Sequence, residues 1–138
     1  MRVHSILLVS LLLTCTLLAA NECYTVDNVT EAAAVAAGGK KQVMVVLLKR
    51  DDLPKGDFQR ATAFCRDKGV AMAVSSPDSE LVHTFLTREL AATGKRRAKG
   101  VTIVVVGPKT QDPRLRPLME SYGVHFIYAE CVEREKKG

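Results

Sequence analysis

The sequence predicts an α/β domain in three layers, α/β/α, around a mostly parallel sheet of about five strands. Three observations predict it. An unbroken apolar run occupies residues 43–48 and a β-branched run residues 101–106, amphipathic stretches separate the strand-like runs, and most junctions carry a capping or stop signal. The resulting order, β-α-β-α-β-α-β-α-β, calls for crossover connections, and therefore for parallel pairing with helices on both faces.

Each element has its own warrant. Cys23-Tyr24-Thr25-Val26 reads as a short first strand. Asn28-Val29-Thr30-Glu31 has the form of a capping box, with Asn28 capping a helix and Glu31 reaching back. Ala32 to Ala37 continues that helix and Gly38-Gly39 stops it. Residues 43–48 contain no polar side chain, the pattern of a strand buried on both faces. Asp57 caps a second helix that places Phe58, Ala61, Phe64 and Cys65 on one face and ends at Gly69. Residues 70–74 form a strand of small side chains. Ser76-Pro77 then opens a long helix, with Ser76 as cap and proline in the first turn. Its apolar stripe is Leu81, Val82, Phe85, Leu86 and Leu90, and Gly94 ends it. Residues 101–106 form another doubly buried strand. Asp112-Pro113 resembles a further cap, but Pro117 leaves two readings: a turn followed by a short helix over 117–122, or a kinked helix. Gly123 closes this segment, and 124–128 form the last strand.

The ends carry the compartment signal. Arg2 and His4 precede an apolar run from Ile6 to Leu18 and the small pair Ala19-Ala20, the form of a cleavable signal peptide over residues 1–20. Ile6 to Ala20 is 15 residues, shorter than the roughly 20 needed to span a bilayer, and no basic stop-transfer cluster follows. The expectation is a secreted or secretory-pathway protein without a transmembrane anchor. It has a single domain over 21–132 and a charged tail over 133–138. Asn28-Val29-Thr30 is then an N-glycosylation sequon at Asn28.

Losing Cys15 with the leader leaves Cys23, Cys65 and Cys131, an odd number that allows one disulfide and one other thiol. If Cys23 begins a parallel strand, it lies at the strand-start edge, where the helix bearing Cys65 also ends. That favours Cys23–Cys65. Cys23–Cys131 requires residues 21–26 to wrap around instead, and under the first pairing Cys131 is a candidate for linking a homodimer.

The chain has 20 Lys and Arg against 15 Asp and Glu, a formal charge of +5. Sorted by sheet edge, the charges separate. The αβ loops, where strands begin, collect Lys40, Lys41, Arg66, Lys68, Lys95, Arg96, Arg97 and Lys99, with Asp67 as the nearby acid. The βα loops mix Asp51, Asp52, Asp57, Asp78, Asp112 and Glu130 with Lys49, Arg50, Lys55 and Lys109. Bases near helix C-termini complement the helix dipole, but four bases within Lys95 to Lys99 exceed what that effect needs. The polyanion-binding candidates are therefore Lys40, Lys41, Lys68, Lys95, Arg96, Arg97 and Lys99, toward a glycosaminoglycan or an acidic protein. Nucleic acid is not expected, because no aromatic side chain interleaves with these bases to stack on bases of a strand.

The opposite edge offers a second candidate at Arg50, Asp51, Ser76 and Lys109, since open α/β sheets bind ligands beyond their strand C-termini. No glycine-rich phosphate loop, zinc-ligand spacing or paired nucleophile and base is present, so no cofactor, metal or catalytic residue is assigned. The run Lys41 to Leu48, following a short helix, resembles the central strand of thioredoxin-like proteins. It is similar to redox-inactive thioredoxin-like domains of extracellular-matrix proteins. The resemblance implies a thioredoxin-like sheet, and the element order by itself also allows a flavodoxin-like one. Thiol–disulfide catalysis is not implied, because no Cys-x-x-Cys follows Leu48 and Gly100-Val101 stands where those folds place a cis-proline. The expected function is a non-enzymatic secreted interaction module with a basic edge. The alternatives are a small secreted enzyme using the strand C-terminal edge, or a thioredoxin-like domain without redox cysteines.

Overall fold

The structure, a computed structural model, describes residues 23–39, 42–49 and 57–131. Lys40, Lys41, Arg50, Asp51, Asp52, Lys55, residues 1–20 expected as a leader, and residues 133–138 lie outside the described residues. The described elements are α1 (Val26–Ala36), β1 (Val43–Leu47), α2 (Phe58–Lys68), β2 (Ala71–Ser75), α3 (Ser79–Thr93), α4 (Lys95–Ala98), β3 (Thr102–Gly107), α5 (Leu115–Ser121) and β4 (His125–Glu130). The chain is α/β, with a parallel sheet of four strands in the order β1-β2-β3-β4. No described helix is long and apolar enough to cross a membrane.

Side-chain parity divides the core between the two sheet faces. On one face, Met72, Val74, Ile103, Val105 and Phe126 pack with Phe58 and Cys65 of α2, Val82, Phe85, Leu86 and Leu90 of α3, and Leu115 and Met119 of α5. On the other, Ala71, Ala73, Val104 and Val106 receive Val29 and Ala33 of α1. Small side chains on both partners let this helix, the one described on its face, lie close to the two central strands. The strand order never reverses, so consecutive right-handed crossovers place α2, α3 and α5 on the same side.

Several expectations are corrected. Residues 23–25 form a turn and bend, and α1 already begins at Val26, so the expected first strand gives way to helix and the described sheet has four strands. Thr25, not Asn28, caps α1, its hydroxyl oxygen accepting from the Asn28 backbone N–H at 3.2 Å. β1 is an edge strand whose residues are all only half-buried, whereas β2 is buried throughout. The run that resembles a central strand is therefore peripheral, because a continuous apolar sequence does not report what lies beside it. Phe64 is 48% exposed, on the outer flank of α2. Asp78, not Ser76, caps α3. Pro117 is the third residue of α5, where its missing N–H would have had no intrahelical acceptor, so no kink is needed. Gly69 closes α2 at φ 66°, the left-handed conformation that glycine adopts without Cβ strain.

The favoured cysteine pairing is also overturned. Cys23 bonds Cys131 with a Cα–Cα distance of 5.8 Å, and Cys65 is a free, buried thiol. The cause lies in residues 23–26. Because they lead into a helix that descends toward the start of β1, Cys23 sits at the strand-end edge, where Cys131 follows β4. Cys65 is on the other face of the sheet, among the α2–α3 core. With Cys131 engaged within the chain, the intermolecular link suggested for it has no free thiol.

Candidate functional site

The strand-start edge gathers Arg66, Lys68, Lys95, Arg96, Arg97 and Lys99, half of the described Lys and Arg. Arg66 and Lys68 occupy the last turn of α2. The segment expected as a loop after Gly94 is instead a single helical turn, α4, held by Ala98 N–H to Gly94 O at 3.1 Å and Lys99 N–H to Lys95 O at 3.0 Å. Ala98 is fully buried and plugs this turn into the core, while Lys95, Arg96 and Arg97 are exposed. Burying the smallest of the four side chains turns the three long cationic ones outward. Arg66 joins α2 to α4 by donating from Nη1 to the Arg97 carbonyl at 3.3 Å. Lys99 lies across Gly123, close enough that a Cβ there would meet the Lys99 Cγ at 3.2 Å.

The acids at this edge are few. Asp67 stands 3.9 Å from Arg66, and Glu120, in the last turn of α5, lies 4.0 Å from Arg116 one turn back. Sequence reading missed Glu120 and also missed His125, an exposed residue at the start of β4, whose N–H bonds Val101 O at 2.9 Å. Both belong to this edge because α5 ends there and β4 begins there. Helix-dipole complementarity accounts for Arg66 and Lys68. It does not account for α4, because α3 itself carries no base in its last turn and a four-residue turn has little dipole of its own.

At the strand-end edge, the side chains of Ser75, Ser76 and Asp78 are already engaged. Ser76 is 3% exposed, and its hydroxyl oxygen accepts from Asp78 N–H at 3.1 Å. Asp78 Oδ1 accepts from Glu80 N–H and Leu81 N–H at 3.1 and 3.3 Å. Those are the helix N–H groups that a phosphate would use, so an aspartate fills that position. Ser75 donates to Val106 O at 2.6 Å, tying the ends of β2 and β3. Lys109 is exposed on the β3–α5 loop, and a cleft of about 760 Å3 beside Lys49 is bounded by Ser76, Pro77, Asp78 and Glu80. With strand order running straight from β1 to β4, the described sheet has no topological switch point, the feature that opens a ligand crevice in such sheets.

An ion-pair clamp here was not legible beforehand. Arg114 donates to Asp112 Oδ2 from Nη2 at 2.7 Å and to Oδ1 from Nε at 3.0 Å. It also donates to Glu80 Oε1 from Nη1 at 3.1 Å, and its Nη2 pairs with Glu80 Oε2. The clamp joins the β3–α5 loop to the first turn of α3. The Arg114 hydrogen bonds hold the Asp112 carboxyl well below its ordinary range, at about 2. A carboxylate so held is a poor proton acceptor near neutral pH. Its folded pKa is depressed, so its stabilisation is full above the unfolded value near 4 and is lost as pH falls toward about 2. Asp112→Asn is therefore expected to lower the urea midpoint at pH 7 and to match the parent protein near pH 2. An equal difference at both pH values would contradict the clamp's ionic character.

Tyr128 closes the same region, its hydroxyl donating to Pro108 O over Gly107, where a Cβ would stand 2.8 Å from that hydroxyl. Burial pushes the phenol up to about 12. Burial also raises the Cys65 thiol, which keeps it in its unreactive protonated form. Neither His83 nor His125 makes a side-chain hydrogen bond to Ser76 or Cys65. Among the described residues no group of three or more His, Cys, Asp or Glu could hold a metal ion. Asn28, the sequon asparagine, lies in the first turn of α1 and lines a groove beside β4. Comparison with protein-family models, curated proteins and solved structures found no match.

Proposed function

We propose that this chain is an exported, non-enzymatic binding module whose strand-start edge takes a sulfated glycosaminoglycan. The observation that carries the reading is α4: one helical turn, seated by buried Ala98, that holds Lys95, Arg96 and Arg97 in solvent beside Arg66, Lys68 and Lys99. Like charges on a short turn repel one another, so their concentration there is a cost to folding that an anionic ligand offsets. Lys40 and Lys41, which the sequence order assigns to the same set, lie outside the described residues. The layers read as α/β/α with one helix opposite three, a scaffold that leaves the helix ends of this edge uncovered.

Export rests on two independent features. The apolar stretch from Ile6 to Leu18 has the form of a leader, and a disulfide joins Cys23 to Cys131, which suits an oxidising compartment. The strand-end edge supports an enzyme less well, because Ser76, Asp78, Asp112 and Glu80 are spent on capping and on the Arg114 clamp.

Heparin-affinity chromatography tests the reading. The combined variant Lys95→Gln, Arg96→Gln, Arg97→Gln, Lys99→Gln is expected to elute at markedly lower salt than the parent protein. The control Lys49→Gln, Lys109→Gln, with two charges removed from the opposite edge, should elute near the parent. Equal losses in both variants would reduce the effect to net charge. Elution unchanged in the first would refute the site. Competition by polyglutamate as effective as by heparin would redirect the assignment to an acidic protein.

A further inference from the structure

The sequon Asn28-Val29-Thr30 takes no part in the basic edge, and the fold encloses it. All three residues lie in the first two turns of α1. Residues two apart on a helix point to different sides, so the Asn28 amide and the Thr30 hydroxyl do not share a face. Val29, between them, is fully buried in the cluster it forms with Ala71, Ala73, Val104 and Val106. The Thr30 hydroxyl donates to Val26 O at 2.6 Å, and the Asn28 N–H donates to the Thr25 hydroxyl at 3.2 Å. Val29 N–H bonds Thr25 O at 3.0 Å. Glycan transfer needs both sequon side chains in one enzyme cleft, the amide as nucleophile and the hydroxyl as the recognised group. In the folded chain the helix holds the two apart, and the hydroxyl already has an acceptor.

Before folding, the same segment is open. The 11 residues of α1 fall below about 12–15, the length under which an isolated helix is marginal in water. Packing is what holds this helix. The buried sheet residues that receive Val29 and Ala33 all come later in the chain, and so does Cys131, which closes the disulfide from Cys23. Contacts at such sequence separations form late, because loop-closure entropy is lost before they are made. Asn28 is therefore presented first as flexible chain and only afterwards as helix.

We propose that Asn28 accepts an N-glycan in the unfolded chain only, and that packing of α1 on the sheet closes the site. In the transfer, Asn28 Nδ2 attacks the anomeric carbon of a lipid-pyrophosphate-linked oligosaccharide. The N–C bond forms and the bond from that carbon to the pyrophosphate oxygen breaks. One Nδ2 proton passes to a base of the transferase, and the lipid pyrophosphate leaves. Asn28 keeps part of its surface in solvent in the folded chain, so an attached sugar has a way out once the helix has formed. A chain that folds before transfer stays bare, and the Cys23–Cys131 bond, just ahead of α1, helps to keep it so. The proposal rests on the export reading, because the transferase works in the secretory lumen, and it is independent of the glycosaminoglycan site.

The test presents unglycosylated chain, residues 21–138 made in bacteria, to a purified oligosaccharyltransferase with its lipid-linked donor. Export plays no part in this assay, so a failure here leaves that reading standing. Transfer is followed by intact mass. The oxidised, folded parent is expected to be modified slowly. Thr25→Ala removes the cap without touching the sequon and should speed transfer about fivefold by letting α1 open more often. Ala33→Asp places a carboxylate on the packed face of α1, again outside the sequon, and should speed transfer more than about tenfold. Thr25→Ala decides the matter if Ala33→Asp aggregates. Equal rates in the parent and both variants would mean that the sequon is reached without opening α1, and would overturn the proposal. Absence of transfer to Asn28 in the variants as well as the parent would also overturn it, since Asn28 would then be no acceptor.

Discussion

Reduction of the Cys23–Cys131 bond is expected to lower the unfolding free energy by about 4 kcal/mol. The bond closes a loop of 108 residues, nearly the whole described domain, and chain entropy for a loop of that order corresponds to roughly 4–5 kcal/mol. The native structure gives the bond added weight. α1 is the one described helix on its face of the sheet, and the disulfide joins its N-terminal approach to the end of β4. Urea unfolding with and without reductant, or of the Cys23→Ser, Cys131→Ser variant, should show a midpoint lower by about 2 M or more at an ordinary urea slope. A midpoint that does not move would contradict the constraint. The same experiment can be made topological. A basic-residue protease that cuts α4 divides the chain between Cys23 and Cys131, so the halves should stay joined after denaturation and separate only on reduction. Separation without reductant would point instead to Cys23–Cys65, since both of those cysteines precede the cut.

Phe85→Ala is expected to cost about 3–5 kcal/mol, the range for truncating a buried aromatic side chain. Phe85 is 1% exposed and meets Phe58 edge to face, with ring centroids 5.6 Å apart and planes at 86°. That contact joins α2 to α3. The ring also lies 5.7 Å from the Arg88 guanidinium, whose Nη2 bonds the buried Glu89 carboxylate at 2.9 Å. Truncation therefore opens a cavity at a helix–helix seam and loosens the cation that accompanies a buried acid. Phe64→Ala, on the same α2 helix but half in solvent, should stay within roughly 0.5 kcal/mol of the parent protein. The two midpoints can be measured side by side by chemical denaturation. Similar losses at Phe85 and Phe64 would contradict the assigned faces of α2 and α3.

Phe64 also shows where sequence reading stops. Its spacing from Phe58 and Ala61 suits one helical face, yet only the sheet and α3 decide how wide that face is. β1 fails in the same way: residues 43–48 are apolar enough for a central strand, and only the strand order makes them an edge. By contrast, the buried runs at β2 and β3, the stripe along α3 and the stops at Gly69 and Gly94 were legible, because each depends on local periodicity or backbone conformation. Residues 23–26 were the costly error. Thr25 and Asn28 both suit a cap, and choosing the later one left room for a strand that does not exist. That displaced Cys23 to the wrong edge and selected the wrong cysteine partner. The place of Arg66, Lys68 and Lys95 to Lys99 at the strand-start edge was legible, since it needs only parallel strands and the order of loops. Its helical turn, its buried Ala98 and the neighbouring His125 and Glu120 depend on packing. The Arg114 clamp depends on a contact between Glu80 and Arg114, 34 residues apart, which no local pattern announces.

The most direct measurement of the central claim is an amide chemical-shift titration with a heparin-derived oligosaccharide. Shifts are expected at residues 66–68, 95–100 and 123–125, decreasing as salt is raised, with the α1–β4 groove and the strand-end edge unchanged. Shifts centred on Lys49, Ser76 and Lys109, or none at low salt, would contradict the assignment of this edge.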